Sequence, residues 1–144
     1  ARHDPASTLE LDSRFPGRLR AVAISPDRKR IATGSAAGWV MVGSASLEGL
    51  KPLRRSRSEG GLKNVSVQPH NNKVAGLFLR GHSLLSYAYA SDDPGEAIRW
   101  DLRTSKDVAL RDTKWTRAIA LSAEGEVAIV GRDSVEFVPL EEFR

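Results

Sequence analysis

Leu19-Arg20-Ala21-Val22-Ala23-Ile24, then Ser25-Pro26-Asp27-Arg28-Lys29-Arg30, then Ile31-Ala32-Thr33-Gly34-Ser35 is the stretch that decides the fold. Its first run alternates side chains along a strand, with Val22 and Ile24 on one face and Ala21 and Ala23 on the other. The polar six that follow turn the chain, because proline presets φ and aspartate accepts local backbone hydrogen bonds. Ile31 to Ser35 is a second strand, Ala36-Ala37-Gly38 a tight turn, and Trp39-Val40-Met41-Val42 a third strand. No segment carries a long amphipathic helical pattern, so the grammar is that of consecutive antiparallel strands.

The same unit returns twice. Leu62-Lys63-Asn64-Val65-Ser66-Val67-Gln68-Pro69-His70-Asn71-Asn72-Lys73-Val74-Ala75 lies over Leu19 to Ala32 without a gap. A third copy runs from Thr116 through Arg117-Ala118-Ile119-Ala120-Leu121-Ser122, turns at Ala123-Glu124-Gly125-Glu126, continues as Val127 to Val130, and ends in Ser134-Val135-Glu136-Phe137-Val138. The starts fall about 43 and then about 54 residues apart, and repeats of about 40 to 50 residues point to propeller blades.

These residues resemble the WD-repeat β-propeller family. Ile98-Arg99-Trp100-Asp101-Leu102, followed by Arg103-Thr104-Ser105-Lys106, is similar to the end of that family's third blade strand. Ala23 to Asp27 with Ile31 to Ser35 resembles the turn between its first two strands, and Ser91-Asp92-Asp93-Pro94-Gly95 its acidic turn. The resemblance covers about residues 8–140 and implies an all-β fold of about three degenerate blades, each a four-stranded antiparallel sheet. It also gives Trp100, Asp101 and His70 structural roles.

The sequence departs from the family pattern in places. Gly43-Ser44 and Val138-Pro139 stand where the Trp-Asp pair would recur, and the family's Gly-His is missing from the first and third copies. The second copy has two registers. In one, Leu62–Val67 is the first strand; in the other it is Val74–Leu79, with His70 at the family's histidine position and Leu84–Ala90 as second strand. The ungapped match favours the former, with blades over 19–60, 62–112 and 116–144 of a single segment spanning 1–144. In that register the family's buried His-Ser-Trp-Asp network is incomplete.

Closed propellers need about four to eight blades, and an open wedge leaves sheet edges unpaired. Thr8-Leu9-Glu10-Leu11-Asp12 reads as a short strand, with 8–13 a candidate closing strand. The wedge is then completed by another chain, as a homo-oligomer of two copies in a six-bladed ring, or by further sequence of a longer propeller.

Composition bounds the rest. The 144 residues are 40% hydrophobic and 28% charged, which fits one globular domain. With no cysteine, disulfide frameworks, thiolate metal sites and cysteine nucleophiles are excluded. That is compatible with an intracellular, cytoplasmic or nuclear setting. No apolar run approaches the roughly 20 residues of a membrane helix. Twenty-two Lys and Arg against 18 Asp and Glu give +4, a mild basic bias.

Lys51-Pro52-Leu53-Arg54-Arg55-Ser56-Arg57-Ser58-Glu59-Gly60-Gly61 is the most distinctive polar segment. Its guanidinium groups suit phosphate or carboxylate oxygens, and Ser56 and Ser58 resemble acceptors for basic-directed kinases. A solvated inter-strand loop is the plainer reading. Trp39 and Trp115 lie near strand starts and face either the core or a rim. With Arg54, Arg55 and Arg57 they are the partner-contact candidates.

Catalysis has little support: His3, His70 and His82 share no metal-ligand spacing, and His82-Ser83 with Asp92 and Asp93 is proximity in sequence only. No cofactor, metal or catalytic residue is expected. The expected function is a non-catalytic protein–protein interaction scaffold. The alternative is a nucleic-acid- or phosphoinositide-binding propeller using the basic loop 51–63, a binding mode in which the loop's lack of aromatic platforms counts against nucleic acid.

Overall fold

A computed structural model of the chain describes residues 18–45, 50–59, 62–70, 73–88, 96–112, 116 and 118–143. Thirteen strands run through them in chain order: β1 Leu19–Ile24, β2 Arg30–Ser35, β3 Val40–Ser44, β4 Lys51–Pro52, β5 Arg55–Glu59, β6 Leu62–Val67, β7 Val74–Arg80, β8 Ser83–Ala88, β9 Glu96–Asp101, β10 Lys106–Asp112, β11 Ala118–Leu121, β12 Glu126–Val130 and β13 Val135–Pro139. A single 3-10 turn, Leu140–Glu142, follows.

The strands form three antiparallel meanders, β1-β2-β3-β4, β7-β8-β9-β10 and β11-β12-β13, with β5-β6 as a separate hairpin. The first strands of successive sheets are neighbours, β1 beside β7 and β7 beside β11. Sheets that meet along their first strands and stack face to face are blades around a common axis, so the molecule is an all-β partial β-propeller.

The turns that separate first and second strands reuse one device. Ser25 Oγ donates to Asp27 Oδ1 at 2.5 Å and accepts from the Arg30 amide at 3.0 Å. In the third sheet the Glu126 amide donates to Ser122 Oγ, also at 3.0 Å. The second sheet instead turns in two residues, Gly81-His82, with Gly81 at φ +58, a conformation that costs a glycine little.

Two apolar seams hold the sheets together. Between the first and second sheets lie Ala32, Val40, Leu53, Val74, Leu77, Leu79, Leu84, Ile98 and Trp100. Between the second and third lie Leu85, Ala97, Ile119, Val127, Ile129, Leu140 and Phe143. Each fully buried large aliphatic or aromatic side chain here contributes about 1.5–3 kcal/mol. The first seam is tight at Gly34, where a Cβ would clash with the Val74 side chain. At the edge of the second, the exposed Glu136 carboxylate accepts from the Arg111 guanidinium of β10 at 2.6 Å.

The second sheet corrects the favoured register. It begins at Val74, not Leu62, and residues 62–67 pair with 55–59 instead. The physical reason is burial from both sides. Val74, Leu77 and Leu79 face the first sheet while Phe78 packs toward the third, so β7 serves two seams at once. The leucine–valine match that favoured Leu62–Val67 records the alternation of any strand and not its place in a sheet. The 8–13 stretch lies outside the described residues.

Candidate binding surface

At one end of the wedge, the turn between β2 and β3 and the two segments that flank it form a rim. The Ala37 and Trp39 amides both donate to Ser35 Oγ, at 3.2 and 3.1 Å, which fixes the turn from which Trp39 projects. After β4 the chain returns to the same end, with the Leu53 amide donating to Val40 O at 2.8 Å and Leu53 buried in the seam. That anchor places the exposed Arg54 with its guanidinium carbon 5.2 Å from the centre of the half-buried Trp39 ring. Gln68 completes the rim by donating to Ala37 O at 3.0 Å and His70 O at 2.7 Å.

Beneath the rim lies a polar core. His70 is 1% exposed, and its Nε2 is 2.9 Å from Ser86 Oγ. The Trp100 indole N–H donates to the same oxygen at 2.9 Å. Burial, helped by the Arg55 charge, pushes the imidazole pKa down to about 3, so His70 is neutral at physiological pH. Arg55 is itself buried and ion-paired with Glu96 at the start of β9.

A histidine, a serine and a tryptophan of the network expected to be incomplete are therefore joined. Residues 89–95, which carry Asp92 and Asp93, lie outside the described residues. Among the described residues His70 Nδ1 has no partner.

The opposite end of the wedge holds a cleft of about 600 Å³ between the first two sheets. Lys29, Arg30 and Lys51 bring positive charge to it, and Ser44, Ser105 and Leu102 complete its walls. Sequence reading missed this site because its cations come from two separate segments, Lys29-Arg30 and Lys51. Only the strand pairing, Val42 against Lys51 and Arg30 against Ser44, brings them together.

The expected contact residues do not form one surface. Trp39 and Arg54 meet at the rim. Arg55 is a correction: it turns inward at the start of β5 and pairs with Glu96 there, while Arg54, in the link between β4 and β5, is exposed. Ser56, Arg57 and Ser58 fall on β5, with their side chains outside the description, as is all of Trp115. The basic segment is also not a loop: Lys51–Pro52 and Arg55–Glu59 are strands. Lys51 lies at the cleft end and Arg54 at the rim end, so they do not act as one patch.

Trp100 is fully buried in the first seam, whereas Asp101 at the end of β9 accepts from the Arg103 side chain at 3.1 Å and from its amide at 2.9 Å. Those bonds hold the Asp101 carboxyl below its ordinary range. His82 is exposed in its two-residue turn. Among the described residues no three His, Cys, Asp or Glu side chains are grouped to hold a metal.

No protein-family model matches this sequence, and no curated protein does. Among solved structures the chain is similar to Kluyvelomyces marxianus Hsv2, with a TM-score of 0.48 and 6% identity over 85% of this chain and 33% of that one. It is also similar to KlHsv2 with loop 6CD replaced by a Gly-Ser linker, with a TM-score of 0.50 and 8% identity over 87% of this chain and 36% of that one. Both are β-propellers, and at such identities the likeness concerns the fold. The chain spans about a third of their length. Among the described residues no helix is long and apolar enough to cross a membrane.

Proposed function

We propose that this chain is a single WD-repeat-like propeller segment acting as a non-catalytic protein-interaction scaffold, and that Trp39 and Arg54 make the partner contact. The observation that carries the reading is the stacked pair itself. A guanidinium 5.2 Å from an indole centre, set on a hydrogen-bonded turn, presents a flat apolar plate and a charge in one fixed arrangement. Tryptophan and arginine are the side chains over-represented where binding energy concentrates. Fold alone does not fix function, so the site carries this step. The charge suits an acidic peptide segment, and the lack of cysteine is compatible with an intracellular, cytoplasmic or nuclear, setting.

The test is selection of peptides from a random display library by the 144-residue chain. Selected peptides are expected to be acidic, and Trp39→Ala and Arg54→Ala each to weaken them about tenfold, with the β-sheet circular dichroism retained. Peptides that bind both variants as tightly as the parent would remove the rim from the account. The alternative, a nucleic-acid or phosphoinositide ligand, predicts steeply salt-sensitive binding of RNA or of liposomes carrying anionic lipid. The inward turn of Arg55 weighs against it, since one of its three expected arginines is held by Glu96.

A further inference from the structure

The two outer sides of the stack, one on the first sheet and one on the third, bear apolar faces that match each other as the buried faces do. The strand pairings set the equivalences. Ile24 opposite Ile31 corresponds to Leu121 opposite Val127, and Ala23 opposite Ala32 to Ala120 opposite Ala128. Val42 and Val40, opposite Ala32 and Gly34, correspond to Phe137 and Val135, opposite Ala128 and Val130.

The first sheet buries Ala23, Ala32, Val40 and Val42 against the second sheet. The third sheet carries the counterpart of that face, Ala120, Ala128, Val135 and Phe137, on its bare side, with Val135 52% and Phe137 68% exposed. The reverse holds on the other outer side. The third sheet buries Ile119, Leu121, Val127 and Ile129 against the second. The first sheet carries the counterpart, Val22, Ile24, Ile31 and Thr33, and leaves Val22 63% and Ile24 58% exposed, with Ile31 half-buried and Thr33 buried.

We propose that these two faces meet between copies: the bare face of the third sheet packs on the bare face of the first sheet of a second copy. Two chains then close head to tail into a ring of six sheets, inside the range of about four to eight that propellers adopt.

Charge favours the same pairing. Each internal seam is crossed by an arginine that donates to a carbonyl in the next sheet's first turn. Arg30 reaches Gly81 O at 3.5 Å, and Arg80 reaches Ala123 O. At the position of Arg30, the first residue of the second strand, the third sheet has the exposed Glu126. The first turn of the first sheet offers the exposed cations Arg28 and Lys29. An acid on the departing face meets bases on the arriving turn.

This inference rests on the propeller fold and is independent of the contact at Trp39 and Arg54, so either can fail alone. It is tested by sedimentation equilibrium of the 144-residue chain at micromolar concentration. The expected mass is about 31 kDa, twice the 15.7 kDa chain. Phe137→Asp and Val22→Asp, both at exposed positions the fold tolerates, are each expected to give monomers with unchanged circular dichroism. An equimolar mixture of the two recovers dimer, because one intact seam remains between unlike variants. Glu126→Lys weakens association on the order of tenfold, and adding Arg28→Glu and Lys29→Glu to the same chain restores it. A monomeric parent chain would overturn the proposal and assign the faces to further sheets or another protein. So would a Val22→Asp variant that still dimerises, since that would mean like faces pair.

Discussion

At the scale of the residue, the polar core beneath the rim decides most. His70 has an ordinary pKa of 6.5 unfolded and about 3 folded, so between those values the unfolded chain binds more protons. Stability therefore rises with pH across that window and levels off above it. The histidine's share is read by comparing the chain with a variant that lacks the imidazole. Between pH 6.5 and 4.5 the parent chain is expected to lose about 2 kcal/mol more in urea unfolding than His70→Gln does. Parallel pH profiles for the two would show that the imidazole is not buried neutral. Glu96→Gln leaves the Arg55 charge buried and uncompensated and is expected to cost about 3 kcal/mol by the same measurement. A loss under 0.5 kcal/mol would return Arg55 to the surface set.

At the scale of the element, β1 to β3 and the strands of the third sheet were legible in the sequence, whereas β4 fell in the segment read as a loop. Alternation, a Pro-Asp turn and a Gly turn each leave local marks, and Val22/Ile24 against Ala21/Ala23 separated the two faces of β1 before any pairing was known. The middle of the chain was not legible. Leu62–Val67 and Val74–Arg80 both satisfy strand chemistry, and only a seam on each side selects the second. Arg55 was misjudged for a related reason: in an Arg-Arg step on an extended chain one side chain points out and the next in, and composition does not say which. The close approach of β2 and β7 gives an element-level prediction. Gly34→Ala drives a Cβ against Val74 across the first seam and is expected to cost about 1–3 kcal/mol in urea unfolding. Gly81→Ala meets nothing within 4 Å and carries only the strain of its positive φ, about 1–2 kcal/mol. Equal stability of Gly34→Ala and the parent would mean the seam is looser than described.

At the scale of the whole molecule, the rim, the basic cleft and the two bare faces are all consequences of one arrangement, three sheets stacked side by side and meeting along their first strands. Rim and cleft fall at opposite ends because each sheet is a meander whose turns alternate between ends. The bare faces exist because a stack has two outer sides. The most direct measurement of that arrangement is a methyl- and amide-resolved NOESY spectrum of the isotopically labelled chain. Cross-peaks are expected from Val40 methyls to Leu84 and the Trp100 indole, and from Ile129 methyls to Leu85, while backbone cross-strand peaks stay within each meander and the β5–β6 hairpin. Backbone peaks running from sheet to sheet, joining the meanders into one continuous barrel, would contradict it.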